Sequence, residues 1–395
     1  MKKFLVGFFA FLIGLVGSFS VYSYIKLPNT DKLTVTEELF YSNANGEFQT
    51  ATADVNLDDA EISVHFLEMG NKYTGDCTYI KAKGVNPDGT KYETDILIDC
   101  GSKSDSIATI SSYLNNYVTD NKFEYVIVTH AHQDHYAGFA TSPKVSSMFD
   151  LYSCDNIITF AGTNQSDSSV AYTNFKRELA EAESRNAKVF TAYECVEETK
   201  PGAQQVYTIG DDITLKILKN KYYYSENGKA STENDYSVCV LISTKTQNFL
   251  FTGDLENTHG AEEYLVNNNE LPKVDLYKAG HHGSKTSSSE ALMEVVQPKV
   301  VCVCCCAGSS EYTTKNENQF PTQIFIDIIS NYTDKVYVTT LCLDYKNNEF
   351  TSFNGNIVYL AKEDTYNVSC SNNNTLLKDS EWFKANRKIP PQWAS

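Results

Sequence analysis

The chain has 395 residues, of which 42% are hydrophobic and 21% charged, and 50 acidic against 33 basic residues give a net charge of −17. This composition excludes a disordered or fibrous protein and is sufficient for a large hydrophobic core. An acidic chain without a Lys/Arg-rich stripe is poorly suited to bind a long polyanion, so nucleic acid is a disfavoured partner.

The N-terminus has the layout of an export signal. Lys2 and Lys3 precede an apolar run over residues 4–16, and small residues follow up to Ser20. This pattern predicts a signal peptide over residues 1–25, or a membrane anchor if the segment is not cleaved. Either outcome predicts a secreted or cell-surface protein that meets the membrane only through this segment. Residues 26–60 form a polar lead-in.

Residues 61–362 are expected to form one catalytic domain, followed by a C-terminal tail over residues 363–395. His65 lies in an alternating apolar run and is interpreted as a buried strand residue. Strand-like runs alternate with segments that have helical spacing, which predicts a layered α/β fold. Two segments carry this helical spacing: Ile107, Ile110, Leu114, Tyr117 and Val118 in one, and Ile324, Ile328 and Ile329 in the other.

The most informative segment is a cluster of metal-binding residue types behind an apolar strand at residues 126–128. His130 and His132 leave the strand at positions i and i+2, from which two imidazoles can converge on one cation. Asp134 and His135 follow directly and point to a second cation nearby, as two-metal hydrolases require. The spacing His-x-His-x-Asp-His resembles the signature of the metallo-β-lactamase fold superfamily.

Further motifs in the same order extend this resemblance over residues 61 to 360. They resemble the ComEC-type competence hydrolase domain and its stand-alone secreted relatives, and the His-His-Gly elements also resemble secreted phosphorylcholine esterases. The resemblance implies a four-layer αββα sandwich with the active site along one edge. The matching motifs are Phe66-Leu-x-x-Gly70, Gly75-Asp76-Cys77, Ile98-Asp99-x-Gly101, Asn234-x-x-Ser237, Thr252-Gly-Asp254 and His281-His-Gly-Ser-Lys-Thr-Ser287.

The same resemblance implies roles for individual residues. Asp254 would bridge two cations, and Asp99 would orient a ligand rather than bind metal. One of His281 and His282 ligates: His282 is preferred, which leaves His281 facing the substrate. The metal would be one or two zinc ions, with manganese as the alternative. The implied ligands are His130, His132, Asp134, His135, Asp254 and His282; the catalytic residues are Asp134, Asp254 and His281; and the substrate contacts are Asn234, Ser284, Lys285 and Thr286.

One ligand of the usual first metal position is missing. The family pattern has a third histidine between the His-x-His-x-Asp-His turn and the bridging Asp254, but residues 136–253 contain none. The Asn-x-x-Ser segment lies there instead, so Asn234, Asp235 or Ser237 would face the first cation. The first position is therefore expected to be the weaker one, or to favour a harder ion such as manganese.

The resemblance implies hydrolysis by a metal-activated water, most plausibly of phosphoester bonds. The expected substrate is a small-molecule or cell-wall phosphoester, either a phosphodiester or a phosphorylcholine-type compound. Glu256 either contacts a substrate cation or forms a structural salt bridge, and Tyr222, Tyr223 and Tyr224 could supply cation-π contacts from the substrate-facing segment 140–232. One alternative is a lactone or β-lactam amide hydrolase, and another is a metal-poor surface binding module.

The eleven cysteines are not arranged as a disulfide scaffold or a metal cluster. Cys302, Cys304, Cys305 and Cys306 lie in one strand-like apolar run, and Cys239 lies in another. Consecutive residues of a strand point to opposite faces, so these thiols are not expected to form a metal cluster. They are predicted to be small buried hydrophobic residues.

Overall fold

The computed structural model describes residues 60–394 except Pro87, together with Leu57 and four short upstream strands. These are β1 (Ile25–Lys26), β2 (Leu33–Thr34), β3 (Phe40–Ser42) and β4 (Phe48–Thr50). The chain forms two units, Met1–Glu38 and Leu39–Ser395. In the first unit β1 pairs antiparallel with β2, and in the second β3 pairs antiparallel with β4. The predicted leader falls almost entirely outside the described residues.

The first large sheet contains eight strands in the order β10-β9-β8-β7-β6-β5-β19-β20. Its pairs from β10 to β7 are parallel, and those from β7 to β20 are antiparallel. The strands are β5 (Ile62–Phe66), β6 (Thr78–Val85), β7 (Lys91–Ile98), β8 (Lys122–Val128), β9 (Ser153–Thr159), β10 (Lys188–Thr191), β19 (Ile357–Lys362) and β20 (Thr365–Cys370).

The second large sheet also contains eight strands, in the order β11 to β18. The pairs from β14 to β17 are parallel, and the others are antiparallel. The strands are β11 (Val206–Ile209), β12 (Ile213–Ile217), β13 (Val240–Ser243), β14 (Asn248–Phe251), β15 (Leu276–Lys278), β16 (Val300–Ala307), β17 (Val336–Asp344) and β18 (Glu349–Ser352).

Aromatic side chains join the two sheets into one core. The rings of Phe66 and Phe251 lie 6.5 Å apart, and those of Phe249 and Tyr359 lie 5.8 Å apart. All eight residues of β16 are buried, including its four cysteines, and Cys239 is buried in the second sheet. The prediction that these thiols serve as small core residues is therefore confirmed.

The described part of the chain also contains α-helices, most of which connect the strands. They are α1 (Ser106–Leu114), α2 (Gln133–Tyr136), α3 (Met148–Leu151), α4 (Val170–Ser184), α5 (Ala192–Val196), α6 (Ala261–Asn268), α7 (Glu290–Val296), α8 (Gln323–Ile329) and α9 (Glu381–Asn386). The predicted four-layer sandwich is confirmed. Within the described part of the chain, no helix combines the length and apolar character that a membrane crossing needs.

The two segments with helical spacing do form helices, with differences at their edges. Helix α1 buries Ile107, Ile110 and Leu114 as expected, but it ends before Tyr117. Helix α8 buries Ile329, whereas Ile324 is exposed because it lies on the solvent side. The described part of the C-terminal segment, residues 363–394, packs against the rest of the second unit, where Arg387 Nε donates to the Pro321 carbonyl at 3.0 Å.

His65 is a satisfied core residue, as its strand pattern predicts. It is buried in β5, with Nδ1 2.7 Å from the Tyr113 hydroxyl and Nε2 2.9 Å from the Ser63 hydroxyl. Burial, together with the charge of Lys81, lowers the pKa of His65 to about 3, so the imidazole is neutral. His65 therefore belongs to the packing of the first sheet and not to the metal chemistry.

A buried carboxylic acid links stability to pH. Burial raises the pKa of Glu68 to about 7 although the Ser352 and Thr340 hydroxyls donate to it. The folded protein therefore holds a proton that the unfolded chain, with a pKa near 4.5, releases. Stability is expected to fall as the pH rises from about 4.5 through 7, by at most about 3 kcal/mol. Urea unfolding of the wild type and of Glu68→Gln at pH 5 and pH 8 measures this, and equal pH dependence in both proteins would contradict it.

Candidate metal centre

The polar residues of the metal motifs follow strands that end at a common edge. Asp99 follows β7, the His-x-His-x-Asp-His turn follows β8, Asp254 follows β14, and the His281-His282 pair follows β15. The loops after these strands therefore meet between the two sheets. Gly253 makes the sharp turn before Asp254: its φ is 55°, and a Cβ there would lie 2.9 Å from the Ser237 hydroxyl oxygen.

Four buried side chains form the centre of the site. Asp76, His135, Asp254 and His282 each offer one ligand atom, and these atoms all lie within 4.8 Å of one another. Asp254 Oδ2 is 3.1 Å from His135 Nε2 and 3.4 Å from His282 Nε2. Two imidazoles and two carboxylates form a donor set that suits a divalent transition metal.

Unsatisfied atoms in this cluster also favour a cation. Within residues 60–394, His135 Nε2, His282 Nε2 and Asp254 Oδ1 are buried and have no hydrogen-bond partner. Buried polar groups without a partner cost free energy unless an ion or water satisfies them. The residues present therefore fit a bound metal ion.

The imidazoles are held with Nε2 toward the cluster. Asp99 Oδ2 lies 2.7 Å from His135 Nδ1, and its carboxylate also accepts the Thr129 amide and hydroxyl, both at 2.7 Å. His282 Nδ1 donates to the Cys304 carbonyl at 2.8 Å. Such contacts fix the tautomer and the ring orientation of a metal-binding histidine. Asp99 thus lies where an orienting carboxylate is expected.

The other motif histidines lie beside this centre. His130 Nε2 is 3.1 Å from His132 Nδ1, and the His130 and His135 rings are 4.2 Å apart. The Ser237 hydroxyl lies 3.4 Å from His130 Nδ1, so this segment does face the first predicted position. Asp134 Oδ2 is 3.5 Å from His282 Nε2. All six predicted ligands are therefore brought to one place.

The carboxylates favour the protonated, positively charged forms of the two imidazoles in the cluster. Burial alone lowers the pKa of His135, but Asp254, Asp99 and Asp76 outweigh it and raise the pKa to about 10. Asp254 and Asp76 likewise raise the pKa of His282 well above its usual value against the effect of burial. A divalent cation would replace the two protons that these imidazoles otherwise hold, so metal binding is expected to release protons.

Two residues of this centre are absent from the predicted site. Asp76 has no role assigned to it, although its Gly-Asp-Cys motif belongs to the family pattern. Lys278 is only 3% exposed; its ammonium contacts Asp76 and lies 3.7 Å from Asp254 Oδ1. Its charge persists because Asp76 and Asp254 raise the pKa of Lys278 against the effect of burial. No spacing rule marks such a lysine, since strand β15 alone suggests only core packing.

The predicted substrate contacts gather around Glu256. Its Oε1 atom is 3.0 Å from His281 Nδ1, 2.9 Å from the Thr286 hydroxyl and 3.1 Å from Asn234 Nδ2. The Ser284 hydroxyl is 2.9 Å from that of Thr286. Glu256 thus anchors this side of the site, whereas the exposed Lys285 donates to Asn318 at 3.2 Å and stands apart from the group.

His281 and His282 occupy a strained turn. Their φ values are 45° and 55°, which residues other than glycine rarely adopt. Such strain persists only where the surroundings enforce it, and it is frequent at functional sites. The turn buries His282 in the cluster and leaves His281 partly exposed, with Nε2 4.0 Å from Asp254 Oδ2.

The expectation that Tyr222, Tyr223 and Tyr224 offer open rings to a cationic substrate is wrong for the first two. Tyr222 and Tyr223 are buried in the core, and the Tyr223 hydroxyl donates to the Ser237 carbonyl at 3.3 Å. Tyr224 is partly exposed, but its hydroxyl bonds to Glu197 at 2.7 Å. The rings of Tyr222 and Tyr223 pack in the core, so they are not open to a substrate.

Gly101 lets the ligand turn approach the first sheet closely. A Cβ there would lie 2.7 Å from the Asp134 backbone carbon and 2.8 Å from the His135 nitrogen. We expect Gly101→Ala to displace this turn and weaken metal binding at least about tenfold, with a stability loss of about 1–3 kcal/mol. Metal titration followed by calorimetry measures the affinity. Gly89→Ala is the control, because a Cβ at Gly89 would meet no atom within 4 Å; equal metal affinity in both variants would contradict the prediction.

Two mixed sheets between helices, with histidines and aspartates at the strand ends, define a protein of the metallo-β-lactamase fold that carries the ligand turn of metal-dependent hydrolases. The family model described as Anti-Pycsar protein Apyc1 matches residues 89–290, just over half of the chain. The chain belongs to this family. The matched range includes the ligand positions from His130 to His282 but not Asp76.

Curated relatives confirm the ComEC-type resemblance. The chain is 29% identical over 144 residues to ComE operon protein 3 of Bacillus subtilis, which is 35% of this chain and 17% of that protein. It is 37% identical over 96 residues to Recombination protein 2 of Haemophilus influenzae, which is 24% of this chain and 12% of that protein. The match thus spans less than a fifth of either relative's length.

Solved structures align with more than half of this chain at low sequence identity. A long form RNase Z from yeast aligns with 76% of this chain and 42% of its own at 10% identity, with a TM-score of 0.38. A metallo-β-lactamase from Cronobacter sakazakii aligns with 58% of this chain and 80% of its own at 14% identity, with a TM-score of 0.31. Similarity at this level carries no information about the substrate.

Proposed function

We propose that this chain is an exported, metal-dependent hydrolase of phosphoester bonds, with zinc or manganese as its cofactor. The observation that carries the proposal is the buried cluster of Asp76, His135, Asp254 and His282, in which His135 Nε2, His282 Nε2 and Asp254 Oδ1 form no hydrogen bond within the described chain. Export rests on the N-terminal sequence pattern alone. A small phosphodiester or a phosphorylcholine-type compound is the proposed substrate.

The residues around the cluster have complementary tasks in such a reaction. A bound divalent cation would lower the pKa of a water molecule and stabilise negative charge on the substrate. Asp254 Oδ2 lies at the centre, within 4.0 Å of an Nε2 atom from each of His135, His281 and His282. Asp134 is the more accessible carboxylate and would accept a hydrogen bond from the attacking water.

The side chains around the cluster favour a substrate group with several hydrogen-bond acceptors. The hydroxyls of Ser284 and Thr286 are neutral groups next to the cluster that can donate hydrogen bonds, and phosphoryl oxygens are strong acceptors. Water would add to phosphorus, the bond from phosphorus to the leaving oxygen would break, and the products would be a phosphomonoester and an alcohol.

Two assays test this proposal. The purified protein is expected to contain at least about one zinc or manganese ion per chain and to hydrolyse bis-p-nitrophenyl phosphate, with loss of activity on chelation. Hydrolysis of nitrocefin without phosphodiester hydrolysis would assign the lactam alternative. A metal content below about half an ion per chain, with no activity restored by either metal, would instead assign a binding module.

A further inference from the structure

We propose that Tyr312 is a further catalytic residue, whose hydroxyl donates a hydrogen bond to a non-bridging phosphoryl oxygen of the substrate. This inference rests on the proposed phosphoester chemistry. Tyr312 belongs to the loop between β16 and α8, which none of the sequence motifs includes. Its side chain is 57% exposed, yet its hydroxyl lies 2.8 Å from Asp134 Oδ2. The ring therefore stands at the solvent side while the hydroxyl reaches the metal cluster.

The loop is held in place on both sides of Tyr312. The Thr74 amide donates to the Glu311 carboxylate at 2.9 Å, which ties the loop to the segment that carries Asp76. The Gly308 amide donates to the Phe320 carbonyl at 2.9 Å and closes the base of the loop. Tyr312 is consequently a fixed part of the site, and its donor is positioned before the substrate arrives.

Aromatic contacts continue from Tyr312 to the substrate side of the cluster. The Tyr312 ring lies 5.6 Å from Phe320, and Phe320 lies 5.5 Å from His281 and 5.8 Å from His282. Tyr312 and His281 thus flank the solvent-facing opening of the cluster, called the mouth here, with Phe320 between them. A phosphoryl group that enters the mouth would meet the Tyr312 hydroxyl on one side and the His281 imidazole on the other.

The electrostatics of the mouth explain why a neutral donor is needed there. Asp134 and Glu311 are both carboxylates next to Tyr312, and they repel an anionic phosphoryl group. A hydroxyl offers a hydrogen bond without changing the charge of the metal cluster, whereas a lysine at this place would compete with the cation for Asp134. With the ring held in place, rotation of the O–H about the Cζ–O bond would direct the proton of Tyr312 to a substrate oxygen instead of Asp134.

Substitution by phenylalanine removes only the hydroxyl. For Tyr312→Phe we expect kcat on bis-p-nitrophenyl phosphate to fall on the order of 10²-fold, with metal content and KM little changed. The same change at Tyr345, a tyrosine that packs against Tyr73 on the neighbouring rim, is the matched control and should leave kcat unaltered. Unchanged kcat in Tyr312→Phe, or a loss explained by reduced metal content, would overturn the proposal.

Binding of orthovanadate tests the inference without turnover. Vanadate presents oxygens arranged like those of a phosphoryl group in transfer, so its affinity reports the donor directly. The metal-loaded wild type is expected to bind vanadate about tenfold more tightly than Tyr312→Phe. If the wild type hydrolyses no phosphodiester, the proposed function fails, while equal vanadate affinity in the two proteins would separately overturn the role of Tyr312.

Discussion

Asp254→Asn is expected to abolish hydrolysis, with a loss of at least about 10³-fold in kcat, while the fold is retained. Asp254 Oδ2 is the oxygen shared by His135 and His282, and an amide in its place removes the charge that draws a cation to both. The neutral side chain keeps the size of aspartate, so the core between the sheets is not disturbed. Activity assays and metal analysis of the purified variant measure the effect.

Asp275→Asn provides the matched control for this substitution. Asp275 is also a buried aspartate of the second sheet, but it lies before β15 and pairs with Lys299 at 2.7 Å. This control should keep its metal and its activity. Substantial activity in Asp254→Asn would show that the shared carboxylate is not needed, and the two-metal interpretation would then be wrong.

Lys278→Met is expected to destabilise the metal-free protein by about 3–5 kcal/mol, since it leaves the buried carboxylate of Asp76 without its closest cation. Lys299→Met removes a lysine that is 63% exposed from the Asp275 pair and should cost less than about 1 kcal/mol. Urea unfolding of both variants measures the difference. Similar stabilities would mean that the two histidines alone compensate for the charge of Asp76.

Zinc provides a second measurement on the same variant. The bound ion would supply positive charge to Asp76 and Asp254, so it should stabilise Lys278→Met more than it stabilises the wild type. Equal stabilisation of the two proteins by zinc would indicate that Lys278 and the cation do not share a carboxylate. Circular dichroism during unfolding, with and without zinc, distinguishes these outcomes.

The sequence predicts the αββα fold and the gathering of the motif histidines well, because these features depend on local patterns. The turn from His130 to His135 has its ligands within six residues, and strand ends bring Asp254 and His282 to it. Asp76 and Lys278 could not be assigned in the same way. Their contact forms only when the loop before β6 meets the end of β15, and nothing in either segment indicates its partner.

Tyr312 and Lys285 show that a motif alone does not locate a side chain. Lys285 lies inside a specific motif and is predicted to contact the substrate, and its ammonium donates to Asn318 at 3.2 Å, apart from the group around Glu256. Tyr312 lies outside every motif, yet its hydroxyl reaches Asp134. The direction in which a side chain leaves a loop is set by tertiary contacts, so motif membership does not determine it.

Strand β5 pairs with β6 on one side and with β19 on the other, and β19 comes from the last tenth of the chain. During translation, β5 is synthesised early, whereas β19 leaves the ribosome only after most of the polypeptide has been made. Until β19 is available, the unpaired edge of β5 can pair with strands of other molecules. Premature termination before residue 357 should therefore yield a product that aggregates rather than a smaller active enzyme.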